Sequence, residues 1–494
     1  MKRYLLLLIT LCICFSAGAQ NDIRSQFEAY KQKRSQEYRD YRDKANAEFA
    51  EYLKKRWADY KPQAAIPSPI PEVLPKPQQA PEEPKDTPAA KPTPKPTPKP
   101  LPEPKSDVES VRKIAERERP SSVVPATSNM LSVDFFGDAL SVPLTKSKLP
   151  YMTLVDEASF SAIWSVLSTI GSNAVKYLEQ YSTSHALNGW GCYQLIKKVS
   201  EQAYSEENVN ERIALQAFML AQLKYGAQVA SCGDKLVLLL PFKEQIYGVS
   251  YLTLKSQNFY IYSYGHNSSN MYRTYENNFS YAANKLSAAM NGNMRIGSSK
   301  QVQFARLGSM LGVSLSAPIS MGNIALQYGY PILDNIVYYK QSLPTDFAKA
   351  ILTPVKQKIA GMNELEAVNY LLNFVQNGFG YADDDEVFGR QKQLFIEESF
   401  FYGQNNCKDR VGVFSWLVKE LMGLDVVALR YEGNAASNGV GHIACAVCFT
   451  QSVTGDNYMH KGKRYVVCDP TYINAKAGNT MPMYAKSQPA ILAL

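Results

Sequence analysis

Residues 61–105 carry 16 of the chain's 28 prolines, including the run Lys91-Pro-Thr-Pro-Lys-Pro-Thr-Pro-Lys-Pro100. Proline locks φ and removes an amide donor, so this stretch builds neither a helix interior nor a central strand. It is expected as a polyproline II tether over 61–106, without a core, reaching about 130 Å if extended at ~3.1 Å per residue. The chain on either side must then be organised separately. A helical segment is expected before it, and a globular part begins near residue 130.

Before the tether, aromatics recur in pairs shifted by 11 residues: Phe27 and Tyr30, Tyr38 and Tyr41, Phe49 and Tyr52, then Tyr60. Gly and Pro are absent from 24 until Pro62. An 11-residue repeat gives about 3.67 residues per turn, which keeps the aromatic stripe nearly straight along one helix. Such a helix over 20–60 cannot bury its stripe alone, so self-association or docking on an envelope partner through 24–60 is expected. The chain opens with Lys2-Arg3, the apolar run Tyr4–Phe15 and Ser16-Ala17-Gly18-Ala19. That order predicts a secretory signal over 1–19, cleaved before Gln20. A membrane anchor is the competing reading, but the run is shorter than the roughly 20 residues a span needs. Export to the periplasm or cell surface follows, with no transmembrane segment in the mature chain.

The net charge of +8 divides as about +2 each for the leader, for 21–60 and for 61–105, leaving roughly +2 for the globular part. That distribution provides no electrostatic footprint for nucleic acid. Beyond the leader there are six cysteines, at 192, 232, 407, 445, 448 and 468. They are too few for a disulfide framework even in an oxidising compartment.

The globular part mixes helical and strand periods, which predicts an α+β fold. Segment 155–225 reads as helix, while 234–264 and 295–340 alternate like strands. Segment 363–377 returns to helix, with Asn363 and Glu366 placed as a capping box. From Lys408 onward, Val411, Phe414, Leu417, Val418 and Leu421 repeat at helical spacing until Gly423. Cys407 therefore falls at the first turn of a buried helix, where unpaired amides and the positive end of the dipole favour thiolate. Strands follow over LDVVALRY, HIACAVCF and RYVVCD, the second opening with His442 and the third ending at Asp469-Pro470-Thr471. The gaps are 442 − 407 = 35 and 469 − 442 = 27. Taken singly, a cysteine is a small hydrophobe, a histidine a hydrogen-bonding filler and Asp-Pro a turn starter. In this order on these elements they predict a nucleophile, a base and an orienting acid.

The pattern resembles the transglutaminase-like superfamily, a papain-like Cys-His-Asp fold. The match lies in Cys407 with Asp409-Arg410, His442 opening a strand, and Asp469-Pro470-Thr471, over roughly 360–480. The resemblance implies that Cys407 is the nucleophile, His442 the base and Asp469 the orienting acid of acyl transfer on amides. Two departures bear on the acceptor side of the cleft: Ile443-Ala444 follows the histidine where an aromatic is common, and Asn406 precedes the cysteine. The oxyanion would be bound by the Cys407 N–H, with Gln404 or Tyr402 as the second donor. With water as acceptor the enzyme is a peptidase or amidase, and with a lysine-like amine a protein crosslinker; a protein or peptide substrate is expected either way.

No cofactor or metal is expected. Cys445-x-x-Cys448 has the spacing of a metal pair, but strand alternation splits it between faces. Cys445 and Cys468 are expected on the faces opposite His442 and Asp469, as neighbouring thiols or a cross-strand disulfide. Asp383-Asp384-Asp385-Glu386 reads as a solvated acidic turn, with calcium coordination as the alternative, and His185, His266 and His460 have no supporting constellation. Upstream, NERIALQAFMLAQLKYGAQV (210–229) parallels KDRVGVFSWLVKELMGLDVV (408–427), with Val209 in the place of Cys407 and Ser263 in that of Asp469. The expected organisation is a degenerate copy over 130–265, a small β-rich bridging domain over 266–355 and a catalytic domain over 356–494. The alternative function is a non-catalytic envelope scaffold on a helical, Pro-tethered stalk.

Overall fold

Helix α1 spans Lys2–Arg56 in the computed structural model, which describes residues 2–56, 61–68, 78, 104–116, 129–265, 271–275, 279 and 282–494, with backbone only for 2–24. Tyr60, the run 91–100 and His266 lie outside the described residues. The aromatic stripe divides into two halves. Phe27, Tyr30, Tyr38 and Tyr41 are exposed, three of them flanked by the cations Lys31, Arg34 and Lys224. Phe49 is buried against Trp164, Tyr275 and Phe279 at 5.1, 5.7 and 4.8 Å between ring centroids. Asn46, Ala50 and Leu53 are buried beside it. Trp164 Nε1 and Gln222 Nε2 both donate to Asn46 Oδ1. The second half of the stripe is therefore covered by the chain's own body. Among the described residues no helix is long and apolar enough to cross a membrane.

The start of the Pro-rich segment is laid on the body as well. Gln63–Ala64 pairs with Met271–Thr274, Ile66 bridges to Tyr251, and Ile473 N donates to Gln78 O at 2.9 Å. A freely extended tether over all of 61–106 is corrected to that extent: the amides of 63–66 complete an open sheet edge. The end of the segment enters the helix Pro104–Ala115.

Two helix-and-sheet units carry the rest, and the architecture is mixed α+β with antiparallel sheets. In the upstream unit, helices α2 (Glu157–Ile170) and α3 (Val209–Gln222) are followed by strands β1 (Gln228–Cys232), β2 (Lys235–Leu240), β3 (Tyr251–Leu254) and β4 (Gln257–Tyr262). In the downstream unit, α4 (Glu364–Gly378) starts at the capping box formed by Asn363 and Glu366, two reciprocal bonds of 3.0 Å. Helix α5 (Cys407–Met422) ends where Gly423 takes φ 67°, a left-handed conformation that glycine adopts without steric cost. Strands β5 (Asp425–Tyr431), β6 (His442–Cys448), β7 (Asn457–His460), β8 (Lys463–Cys468) and β9 (Ala490–Ala493) follow. Along the sheets the orders are β1-β2-β4-β3 and β5-β6-β8-β7, the same excursion after each helix, with β9 added beyond β5. Residue pairing matches too: Cys232 faces Lys235 as Tyr431 faces His442, and Leu238 faces Tyr262 as Cys445 faces Cys468.

Residues 266–355 do not form a separate β-rich domain. Met271–Thr274 joins the upstream sheet, and the hairpin of Ser299–Gln303 with Ser316–Ser320 is interleaved with helices Ala305–Leu311, Met321–Tyr328 and Asn335–Tyr339. The apolar side chains of the segment join the core shared by both units instead of forming one of their own. Tyr330, for instance, lies 5.7 Å from Trp190 on one side and 5.0 Å from Phe395 on the other. One contiguous apolar cluster runs from Ala45 to Cys468.

Candidate active site

Cys407 is the first residue of α5, and buried polar side chains hold the turn before it. Asp409 Oδ2 accepts from Asn406 N at 3.1 Å, and its Oδ1 accepts from Leu394 N at 2.9 Å. The Arg410 guanidinium, 1 % exposed, donates to Asn405 Oδ1 and to the carbonyls of Gln376, Phe379 and Pro470. Gln376 Nε2 donates to Asp469 O at 3.0 Å. The helix start and the Asp469-Pro470 turn are thus tied together through backbone groups, across 60 residues of chain.

His442 Nε2 and Asp469 Oδ2 are 2.8 Å apart, and Asp469 Oδ1 accepts from Thr471 N at 2.8 Å. The imidazole packs against the neighbouring rings of Tyr431 and Tyr484, at 6.2 and 5.1 Å with interplanar angles of 16° and 20°, and the two tyrosines lie 5.3 Å from each other. Burial is the largest influence on its proton affinity and pulls it down. The charge and hydrogen bond of Asp469, followed by Cys407, outweigh burial and raise the His442 pKa to about 10. Cys407 thus acts on the ring at short range, and Nδ1 is buried with no partner at full hydrogen-bonding geometry. With Nε2 held by the carboxylate, Nδ1 is the nitrogen left for the sulfur.

Cys407 is 0 % exposed, against 2 % for His442 and Asp469. A pocket of about 190 Å³ opens at the N-terminal end of α5 and is lined by His442 but not by Cys407. His442 thus borders the cavity while the Cys407 sulfur is covered.

The structure brings Cys407, His442 and Asp469 together. Gln404 and Tyr402 are placed differently. Gln404 lies in a two-residue parallel pairing with Gly380. The Tyr402 ring packs on Phe388 and Phe401, with Glu398 and Arg390 as its charged neighbours. Neither lines the pocket, where a different amide side chain does. Gln393 is 2 % exposed, lines the pocket with His442 and Lys408, and its Nε2 has no partner. The neighbouring amides hold it in place: Lys392 N donates to Asp384 Oδ2 and Leu394 N to Asp409 Oδ1. Nothing in the sequence around Gln391-Lys392-Gln393 singles it out.

Asp384, expected in a solvated acidic turn, is buried and pairs with Lys408 Nζ at 2.7 Å. Its other oxygen accepts from Asn406 Nδ2 at 2.8 Å. Lys392 and Glu398 form a second buried pair at 2.8 Å. The low-dielectric site provides the reason: a buried ammonium needs a carboxylate. Cys445 and Cys468 are cross-strand neighbours beneath α5, Cys445 Sγ lies 3.8 Å from Val411 O, and the two thiols are not joined in a disulfide. His185 stacks on Tyr181. Among the described residues no cluster of three or more His, Cys, Asp and Glu is placed to hold a metal. At the matching positions upstream stand Val209, Lys235 and Ser263.

Compared with known protein families, with curated proteins and with solved structures, the chain matches none.

Proposed function

We propose that the chain is an exported cysteine acyltransferase or hydrolase of the transglutaminase-like class, with Cys407 as nucleophile, His442 as base and Asp469 as the acid that orients it. The observation that carries this reading is the 2.8 Å bond from Asp469 to Nε2 of an imidazole whose free Nδ1 neighbours a cysteine at a helix N-terminus. In this mechanism thiolate attacks an amide carbonyl, and the imidazolium protonates the leaving amine. Water or a second amine then resolves the thioester. The oxyanion is bound by the Cys407 N–H and, in place of Gln404 or Tyr402, by the unpaired Gln393 amide. The upstream unit, lacking all three reactive side chains, is read as a degenerate copy that packs and shapes the cleft.

The full burial of Cys407 favours a second reading, a scaffold that retains the fold without turnover. Iodoacetamide at neutral pH separates the two. Acyl transfer requires stoichiometric alkylation of Cys407 faster than a free thiol, lost in His442→Ala. A wild-type protein that alkylates no faster than its His442→Ala variant refutes the enzyme. With Cys407→Ala as control, mass spectrometry of cell-envelope fractions incubated with the protein then reports cleaved or crosslinked amides.

A further inference from the structure

We propose that the pocket at the N-terminal end of α5 is the subsite for the amine partner of acyl transfer, and that it selects an amine bearing a free carboxylate, such as an amino acid or short peptide. This inference rests on the acyl-transfer reading above. His442 lines the pocket and Cys407 does not, so a molecule seated there lies beside the residue that would move protons. In deacylation the amine lone pair attacks the thioester carbonyl of acyl-Cys407, and its proton passes to Nδ1 of His442. The C–S bond then breaks, and its electron pair returns to Sγ. The attacking nitrogen must therefore lie on the imidazole side, which is where this cavity is.

The charge of the lining decides what else that amine carries. Lys392, Lys408, Arg430 and the imidazolium face one carboxylate, Asp334, which also caps the helix Asn335–Tyr339 by accepting from Ile336 N. Lys408 and Lys392 are neutralised from behind by Asp384 and Glu398. Arg430 is different: its nearest carboxylate is Glu432 at 3.9 Å, and its side chain is 47 % exposed. The positive end of the α5 dipole points the same way, and a guanidinium presents a planar fork to a carboxylate. Arg430 sits opposite Ile443 on the same sheet face as Ala428 and Cys445, one residue along the strand from Tyr431, which pairs with His442. Ile443 and Leu492 form an apolar floor for a small side chain.

The test forms acetyl-Cys407 with p-nitrophenyl acetate and offers glycylglycine or glycylglycinamide at equal free-amine concentration. The yield of N-acetyl product is then measured. Wild type is expected to favour glycylglycine at least tenfold, and Arg430→Gln to bring the preference within about twofold. Equal use of the two acceptors by wild type, or a preference that survives Arg430→Gln, overturns the inference. Calorimetric titration of the Cys407→Ala protein supplies a readout without turnover. Glycylglycine is expected to bind, and binding to weaken at least tenfold with Arg430→Gln; no binding also overturns the inference. Failure to form acetyl-Cys407 where glycylglycine still binds in an Arg430-dependent way refutes the acyl-transfer reading and leaves a carboxylate site.

Discussion

Replacing Asp469 by asparagine keeps the shape of the orienting group and removes its charge. The carboxylate is the leading influence that raises the His442 pKa from 6.5 to about 10 against the pull of burial. At 1.36 kcal/mol per pH unit the whole rise corresponds to on the order of 5 kcal/mol in favour of the charged ring. Without the charge, burial dominates and the ring is neutral at pH 7. An asparagine amide also donates to Nε2, which places the remaining ring proton on Nδ1, the nitrogen meant to receive the thiol proton. Both effects act in the same direction. Alkylation of Cys407 by iodoacetamide at pH 7, measured where the rate is linear in reagent so that uncovering of the sulfur is not limiting, is expected to fall on the order of a hundredfold or more. The wild-type rate should stay nearly flat across neutral pH, and that of the variant should climb with pH. Stability provides an independent check. A raised histidine pKa stabilises the fold fully below 6.5, and the contribution is lost as pH rises through about 10. The gap in unfolding free energy between wild type and Asp469→Asn should therefore be widest near pH 6 and close towards pH 10. Equal alkylation rates at pH 7, or a stability gap that widens with pH, would refute the reasoning.

Glu397 tests the same physics without touching the reacting groups. Burial raises its carboxyl to about 7, so the ionised form is penalised above that pH and the penalty fades towards 4.5; Glu397→Gln should stabilise the protein by about 3 kcal/mol at pH 8–9 in urea unfolding and by nothing near pH 4.5. Lys392→Met strands Glu398 in the interior and should cost about 3–5 kcal/mol, most of which is recovered when Glu398→Gln is added. Phe49→Ala empties a site among Trp164, Tyr275 and Phe279; a loss of about 3–5 kcal/mol and faster proteolysis between α1 and α2 are expected. Gln393→Ala should slow acylation by p-nitrophenyl acetate about 10²-fold with little change in Tm, and an unchanged burst rate would remove it from the oxyanion site.

Much of the downstream unit was legible because its signals are local. The Asn363–Glu366 box, the apolar spacing after Lys408 and the stop at Gly423 all act within four residues, and the structure places α4 and α5 where those signals fall. The alternation of β6 likewise puts Cys445 on the core face under α5 and Ala444 in the smaller cluster on the other side. Segment 295–340 misled because its alternation is real over Ser316–Ser320 but gives way to short helices whose apolar faces are satisfied only by the flanking units. Asp383–Glu386 misled for a related reason. An acidic run looks solvated until a lysine 24 residues away is folded over it, as Lys408 is over Asp384.

By itself the sequence determined on which kind of element Cys407, His442 and Asp469 each stand and in what order they follow. Periodicity and capping are properties of neighbouring residues, so they survive being read one segment at a time. Only the tertiary structure decided that Asp469 meets Nε2 and leaves Nδ1 without a partner, that Gln393 with its unpaired Nε2 lines the same pocket as His442, and that Cys407 is covered. Those outcomes depend on how distant strands and loops close over one helix end, and no local period encodes that closure.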